Sequence, residues 1–297
     1  MPLKAILNSF IAAILSCILA LGFKFIGVYL ILLSYFASLP IFLITFYYGL
    51  TGIILSSIIS ITILSFLTSL PIGIMFFFSN ILPVVLILFE KTKNKFSYLN
   101  FISKLTLVNS ILYIGINVAF RDKIIDITNN LREFFNQNLN NNISIDQSIL
   151  DLAPSFLMIS WTLILIFNLI IARIIISKYF KNFIIFPDKI INIQLQSWLI
   201  WSFMFFLIPA SVINNDSGIW FKSLALIYAI PVTIQGLCTI HVFLKEKKVG
   251  SFLIYTFYSL VFIIPISIPL ITAIGFLEFI YDFRKLKNTK KVNWNID

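Results

Sequence analysis

Acid–base, metal and nucleophilic chemistry need histidine, cysteine and carboxylate side chains within reach of one another, and this sequence supplies few. It has one histidine, His241, and two cysteines, Cys17 and Cys238, each cysteine inside an apolar stretch. CxxC, HExxH and DxD spacings do not occur, so the residues offer no metal site, no disulfide framework and no catalytic residue. The nearest approach to acid chemistry is Glu278, about two turns inside the last apolar run, with Asp282 one turn on and Arg284 and Lys285 at the exit. Glu278 is either a carboxylate paired near the interface or a proton relay. The chain is expected to be no enzyme and to hold no cofactor.

Neutral polar groups are better represented inside the apolar runs. Asn80 stands three residues before Pro83, Asn109 and Asn117 share one run, Asn168 lies in the next, and Gln235 follows Pro231. Such amides either line a pocket for an uncharged solute or bond one helix to another. The prolines leave backbone carbonyls without donors, which singles out Asn80 and Gln235. Small residues recur every four positions at Ala12, Ser16 and Ala20, beside a strip of Ser9, Ala13 and Cys17, and again at Gly52, Ser56 and Ser60. These faces permit close helix approach, to the chain's own helices or, for Ala12, Ser16 and Ala20, to a separate docked subunit.

The elements that must position these residues follow from composition. Of 297 residues 60% are hydrophobic and 11% charged, and the mean hydropathy is +1.00. A soluble domain carries about a quarter charged residues, so the chain is a membrane protein, and it is too apolar to be disordered. The formal charge of +10 would hint at nucleic acid in a soluble protein. Here the cations form short clusters without aromatic interleaving, and they act as a topology signal, since basic loops stay cytoplasmic.

Crossing the hydrocarbon core takes about 20 apolar residues. Cut at charges, prolines and polar clusters, the sequence predicts crossings at 5–22, 26–47, 50–67, 71–89, 101–120, 153–176, 198–213 and 220–244. Breaks fall at Tyr48-Gly49 and Ser69-Leu70-Pro71, and the first helix stays uncleaved as the insertion signal. Pro265 and Pro269 divide the run 250–284 into an outgoing and a returning helix, which brings the cationic tail 285–297 back to the cytoplasm. The expected fold is therefore an all-α polytopic bundle of about ten transmembrane helices in one domain, with both termini cytoplasmic.

Between the crossings, Lys91, Lys93 and Lys95 mark a cytoplasmic loop, and Lys178, Lys181 and Lys189 mark another that turns at Pro187-Asp188. Residues 121–152 form an external polar insertion. Its Ile124, Ile127, Leu131, Phe135 and Asn138 fall at helical spacing, predicting an amphipathic helix on the membrane surface or over the bundle.

Four strings in the C-terminal half, NLIIAR at 168–173, Pro187-Asp188 before Trp198, QGLCTIHV at 235–242 and IGFLEFIYDFRK at 274–285, resemble the YybS-like family of bacterial multi-pass membrane proteins. The resemblance implies an inner-membrane protein distantly similar to the substrate-binding membrane subunits of energy-coupling-factor transporters. It also implies that Ala12, Ser16 and Ala20 would dock an energising module. The family brings no catalytic residues. On its own terms the QGL string places a buried amide and a small residue where two helices cross closely.

The function expected from these features is transport or binding of a small neutral or weakly polar solute, with Asn80, Asn109, Asn117, Asn168 and Gln235 as lining. The alternative is a non-transporting membrane assembly or regulatory protein, which self-associates or contacts anionic lipid through its basic strips. In either case the bilayer is the partner, and no nucleic acid is expected.

Overall fold

The computed structural model describes residues 3–27, 31–90, 97–138, 150–179, 190–213, 215–264 and 266–286. Among them all regular structure is helical. Helices α1 (Leu3–Ile26), α2 (Ile31–Ser34), α3 (Leu39–Tyr48), α4 (Leu50–Leu67) and α5 (Leu70–Phe76) come first. A π-turn at Phe77–Ile81 leads into α6 (Leu82–Glu90), followed by α7 (Tyr98–Ala119) and α8 (Arg121–Asn138). Then come α9 (Ala153–Tyr179), a 3₁₀ turn at Ile190–Asn192, α10 (Ser197–Val212), α11 (Asp216–Glu246), α12 (Ser251–Ile263) and α13 (Ser267–Tyr281).

Burial differs from that of a soluble protein in what the exterior holds, for Phe42, Phe46 and Phe101 are buried as in any core. Ser9, Ser16, Ser56, Ser60, Asn109, Asn168 and Gln235 are fully buried, while Phe66 is 89% and Phe252 79% exposed. Large apolar side chains turned outward around an interior that also buries serines and amides match a lipid solvent. Among the described residues seven helical segments are long and apolar enough to cross a membrane. The expected ten crossings are thus corrected to seven. Ser197–Val212, Ser251–Val261 and Ser267–Tyr281 are apolar but short. At 1.5 Å per residue the last two helices rise about 20 Å each, against a core of about 30 Å.

Individual ends also moved. The first helix runs on past Gly22 to Ile26, because Lys24 in its last turn can snorkel and no breaker intervenes before Gly27, at φ +119°. The expected breaks at Gly49 and before Pro71 are present, Gly49 taking φ +63° and Pro71 opening α5 in its first turn. The crossing expected at 26–47 is interrupted between α2 and α3, and the one at 71–89 by the π-turn. The loop of Lys91, Lys93 and Lys95, the turn at Pro187-Asp188 with Lys181 and Lys189, the remainder of the insertion from 139 to 149, Pro265 and the tail beyond Leu286 lie outside the described residues.

The chain divides into two compact units, Met1–Leu105 with Ser160–Pro187, and Thr106–Ile159 with Asp188–Asp297. In the first, α1 packs against α3 and α4. The small faces account for this: Ser9, Ala13 and Cys17 of α1 and Gly52, Ser56 and Ser60 of α4 are all buried, and the Cys17 thiol lies 3.6 Å from the Ser60 carbonyl oxygen. A Cβ on Gly52 would come within 2.7 Å of the Ile44 carbonyl oxygen, so α3 and α4 meet where only glycine fits.

In the second unit α11 packs against α10 and α13. Tyr113, Leu224 and Ile227 form a buried cluster with Met158, Phe206 and Trp220 against it. The expected amphipathic helix is present as α8, but Ile127 and Leu131 of its apolar stripe are uncovered, 58% and 38% exposed. The last two helices leave and return, since Glu246 at the end of α11 and Arg284 beyond α13 line one cavity.

Candidate functional site

In the first unit polar chemistry gathers where two helices are irregular. Between α2 and α3 the backbone tightens to i→i+3 hydrogen bonds, Phe36 to Leu33 at 3.0 Å, Ala37 to Ser34 at 3.1 Å and Leu39 to Phe36 at 3.0 Å. Pro40 brings no N–H to the next turn, and the α pattern resumes with Phe42 bonded to Ser38. Two carbonyls of this turn are taken by side chains from elsewhere. Asn168 Nδ2 donates to the Tyr35 carbonyl at 2.6 Å and to Ser38 Oγ at 3.0 Å, and Ser16 Oγ donates to the Ala37 carbonyl. Asn168 is fully buried, and among the described residues its Oδ1 has no hydrogen-bond partner.

The second irregularity is the π-turn. Pro83 has no N–H to offer the Ser79 carbonyl four residues back, and Trp161 Nε1 donates to that carbonyl at 2.8 Å instead. Asn80, half-buried, spends its Nδ2 on Ser79 Oγ at 2.8 Å. Trp161 and Asn168 are seven residues apart on α9, two turns along one face, so a single helix supplies a donor to each irregularity.

In the second unit the polar groups converge where α11 crosses α13. A Cβ added to Gly236 would run into the Ile271 carbonyl, and one on Gly275 into the Val232 carbonyl, so the two backbones touch. This is the crossing expected at the QGL string. Beside it Gln235 Oε1 accepts from the Leu195 N–H at 2.7 Å, its Nε2 donates to the Gly275 carbonyl at 2.9 Å, and Thr233 and Thr272 share a 2.6 Å bond.

One turn on, Glu278 pairs with Arg284 at 2.7 Å, with side chains 1% and 3% exposed. The Arg284 guanidinium also donates to the carbonyls of Ile191 at 2.6 Å and Ile193 at 2.7 Å, and Cys238 Sγ reaches the Ile190 carbonyl at 3.3 Å. The short stretch 190–195 is thereby pinned by three side chains of α11 and the α13 end. Of the two roles open to Glu278, the paired carboxylate is the one seen. His241 Nδ1 lies 2.9 Å from the Tyr258 hydroxyl, linking α11 to α12.

The five amides expected to line one pocket are divided between the units. Asn80 and Asn168 belong to the first, and Asn109, Asn117 and Gln235 to the second. Asn117 turns back on its own helix, donating to the Tyr113 carbonyl at 2.9 Å. Asn109 is fully buried. A cavity of about 300 Å³ in the first unit is lined by Ala12, Pro40, Tyr47 and Tyr48 among others, and one of about 270 Å³ in the second by Phe243, Glu246, Ile274 and Arg284 among others. None of the five amides lines either.

Ala12 and Ser16 are buried against the chain's own helices, so the face they would offer a separate subunit is already covered, while Ala20 is half-buried. Among the described residues no group of three His, Cys, Asp or Glu side chains is placed to hold a metal ion. Sequence reasoning passed over Ser38 and Trp161. Their signals were Pro40 and Pro83, which strip donors from the preceding turns, and a tryptophan well inside an apolar run, where its N–H needs an acceptor.

Residues 141–278 match the model of a family described as predicted membrane protein (DUF2232). With the apolar exterior and the seven long apolar helices, the match makes this chain a multi-pass helical membrane protein. The matched stretch contains the strings at 168–173, 187–188 and 235–242 and the start of that at 274–285. No curated protein and no solved structure matches the chain.

Proposed function

We propose that the protein binds, and carries across the membrane, a small neutral or weakly polar solute at the helix interruption of the first unit. The supporting observation is the buried Asn168 Oδ1, an acceptor without a partner among the described residues, beside the broken turn 35–38. Interrupted helices put polar backbone inside a membrane protein, and transporters use such interruptions to bind solutes near the bilayer midplane. Tyr35, Ser38, Trp161 and Asn168 carry no formal charge, which favours a neutral solute over an ion. Chemistry on the solute forms no part of this proposal.

The basic residues Lys245, Lys247, Lys248, Arg284 and Lys285 gathered at one end of α11 and α13 support a cytoplasmic placement of that end in a bacterial inner membrane. An energising module, if one couples to this chain, would have to dock away from the covered Ala12 and Ser16. A second proposal, a non-transporting assembly or regulatory role, is favoured by Gln235, whose amide is spent at both ends on backbone.

The test is purification in mild detergent with mass spectrometry of copurifying small molecules and proteins, run on the wild type and on Asn168→Leu. A stoichiometric solute held by the wild type and lost from a still-folded Asn168→Leu is the expected result. Recovery of only self-copies, lipid or envelope proteins, or a solute retained equally by the variant, would transfer the weight to the assembly role.

A further inference from the structure

The cavity of the second unit, about 270 Å³, lies where α11 ends and α13 returns. Ile240, Phe243, Ile274 and Phe283 give it apolar walls, and Glu246 and Arg284 give it polar ones. Phe243 and Phe283 are each 56% exposed, so the walls continue onto the apolar exterior. The Arg284 side chain is 3% exposed and uses three of its five N–H groups, on Glu278, Ile191 and Ile193. Among the described residues the other two N–H groups have no acceptor.

Lys247 does not line the cavity itself, but its Nζ stands 5.7 Å from the centroid of the Phe243 ring, which does, and so brings a second cation to the cavity's edge. The ends of α11 and α13 carry Lys245, Lys247, Lys248, Arg284 and Lys285 with Glu246, Glu278 and Asp282, five cations and three carboxylates, an excess of two.

An anionic head beside an apolar chain satisfies all of these features together. A soluble anion would leave the apolar walls unused, and an uncharged apolar molecule would leave the cations unanswered. We propose that this groove binds an anionic phospholipid of the surrounding bilayer whose head also carries hydroxyls, of the phosphatidylglycerol type. Its phosphate takes the two remaining Arg284 N–H groups and Lys247, its acyl chain lies along Ile240, Phe243, Ile274 and Phe283, and its hydroxyls donate to the Glu246 carboxylate. The site is separate from the helix interruption of the first unit and stands or falls without it.

The test is native mass spectrometry of the full-length protein after exchange into nanodiscs of equal phosphatidylglycerol and phosphatidylcholine. The variants are Ile274→Trp, which fills the groove, and Lys247→Glu, which reverses a charge on an exposed side chain, with Lys123→Glu on α8 as control. The wild type and the control should retain phosphatidylglycerol over phosphatidylcholine by about fivefold or more, and both groove variants should lose that preference. Equal retention of the two lipids by the wild type, or a preference that survives Lys247→Glu, overturns the proposal. Should Ile274→Trp fail to fold, the surface substitution Lys247→Glu decides alone.

Discussion

Replacing Gly236 by alanine tests the crossing of α11 and α13 most directly. In an open helix the change is favourable, since alanine exceeds glycine in helix propensity by about 1 kcal/mol. At Gly236 the added Cβ runs into the Ile271 carbonyl and comes within 3.0 Å of the Gly275 nitrogen, and both obstacles are backbone that no rotamer change can move. The helices must part by about 1 Å to restore ordinary contact. Parting stretches the Gln235–Gly275 bond at 2.9 Å and the Thr233–Thr272 bond at 2.6 Å. Inside a membrane each such bond is worth about 0.6 kcal/mol and at most ~1.7. With about 1–3 kcal/mol for overpacking, less the propensity gain, Gly236→Ala should destabilise by about 2 kcal/mol.

The assay is unfolding in mixed micelles by titration with a denaturing detergent, with Gly275→Ala as the reciprocal and Gly115→Ala as the control. Nothing lies within 4 Å of a Cβ at Gly115, so that variant should match or exceed the wild type. A Gly236→Ala protein as stable as Gly115→Ala would refute the close crossing.

The same unfolding assay checks three further outcomes. Arg284→Ala strands the Glu278 carboxylate, 1% exposed, and should cost about 3–5 kcal/mol, with the paired change to two methionines recovering most of it. Trp161→Phe should cost about 1 kcal/mol by leaving the Ser79 carbonyl without a donor, and measurably less in a Pro83→Ala background whose restored N–H can reach that carbonyl. Equal costs in the two backgrounds would sink the account of the π-turn. Cys17 and Cys238 are both buried, so maleimide labelling should be slow in mild detergent and rapid after unfolding; fast labelling of native Cys238 would contradict its position against the Ile190 carbonyl.

Much of the helix layout could be read from local features. Gly49 and Pro71 end and begin helices as their backbone chemistry requires, and Pro265 and Pro269 announced the outgoing and returning pair. The break between α2 and α3 has one local signal, Pro40, and it is easily passed over because a proline is also at home in a helix's first turn and hydropathy runs unbroken through residues 31–39. The candidate site was legible as residue types and not as pairings. Asn168 and Tyr35 are 133 positions apart, and Arg284 reaches back across 93 residues to Ile191, distances over which periodicity carries no information.

What the sequence alone determined was the solvent and the class of fold. Sixty per cent hydrophobic residues cannot face water, backbone groups in lipid must be satisfied within helices or a closed barrel, and unbroken apolar runs of about 20 residues select helices, so an all-α membrane protein follows from composition and run length. Which polar side chains are structural and which keep bonding capacity was decided only by the tertiary structure. A hydrogen bond depends on the few ångströms around each atom. Gln235 spends its amide on backbone at both ends and Asn168 leaves Oδ1 unpaired because of which segments packing brings beside each of them.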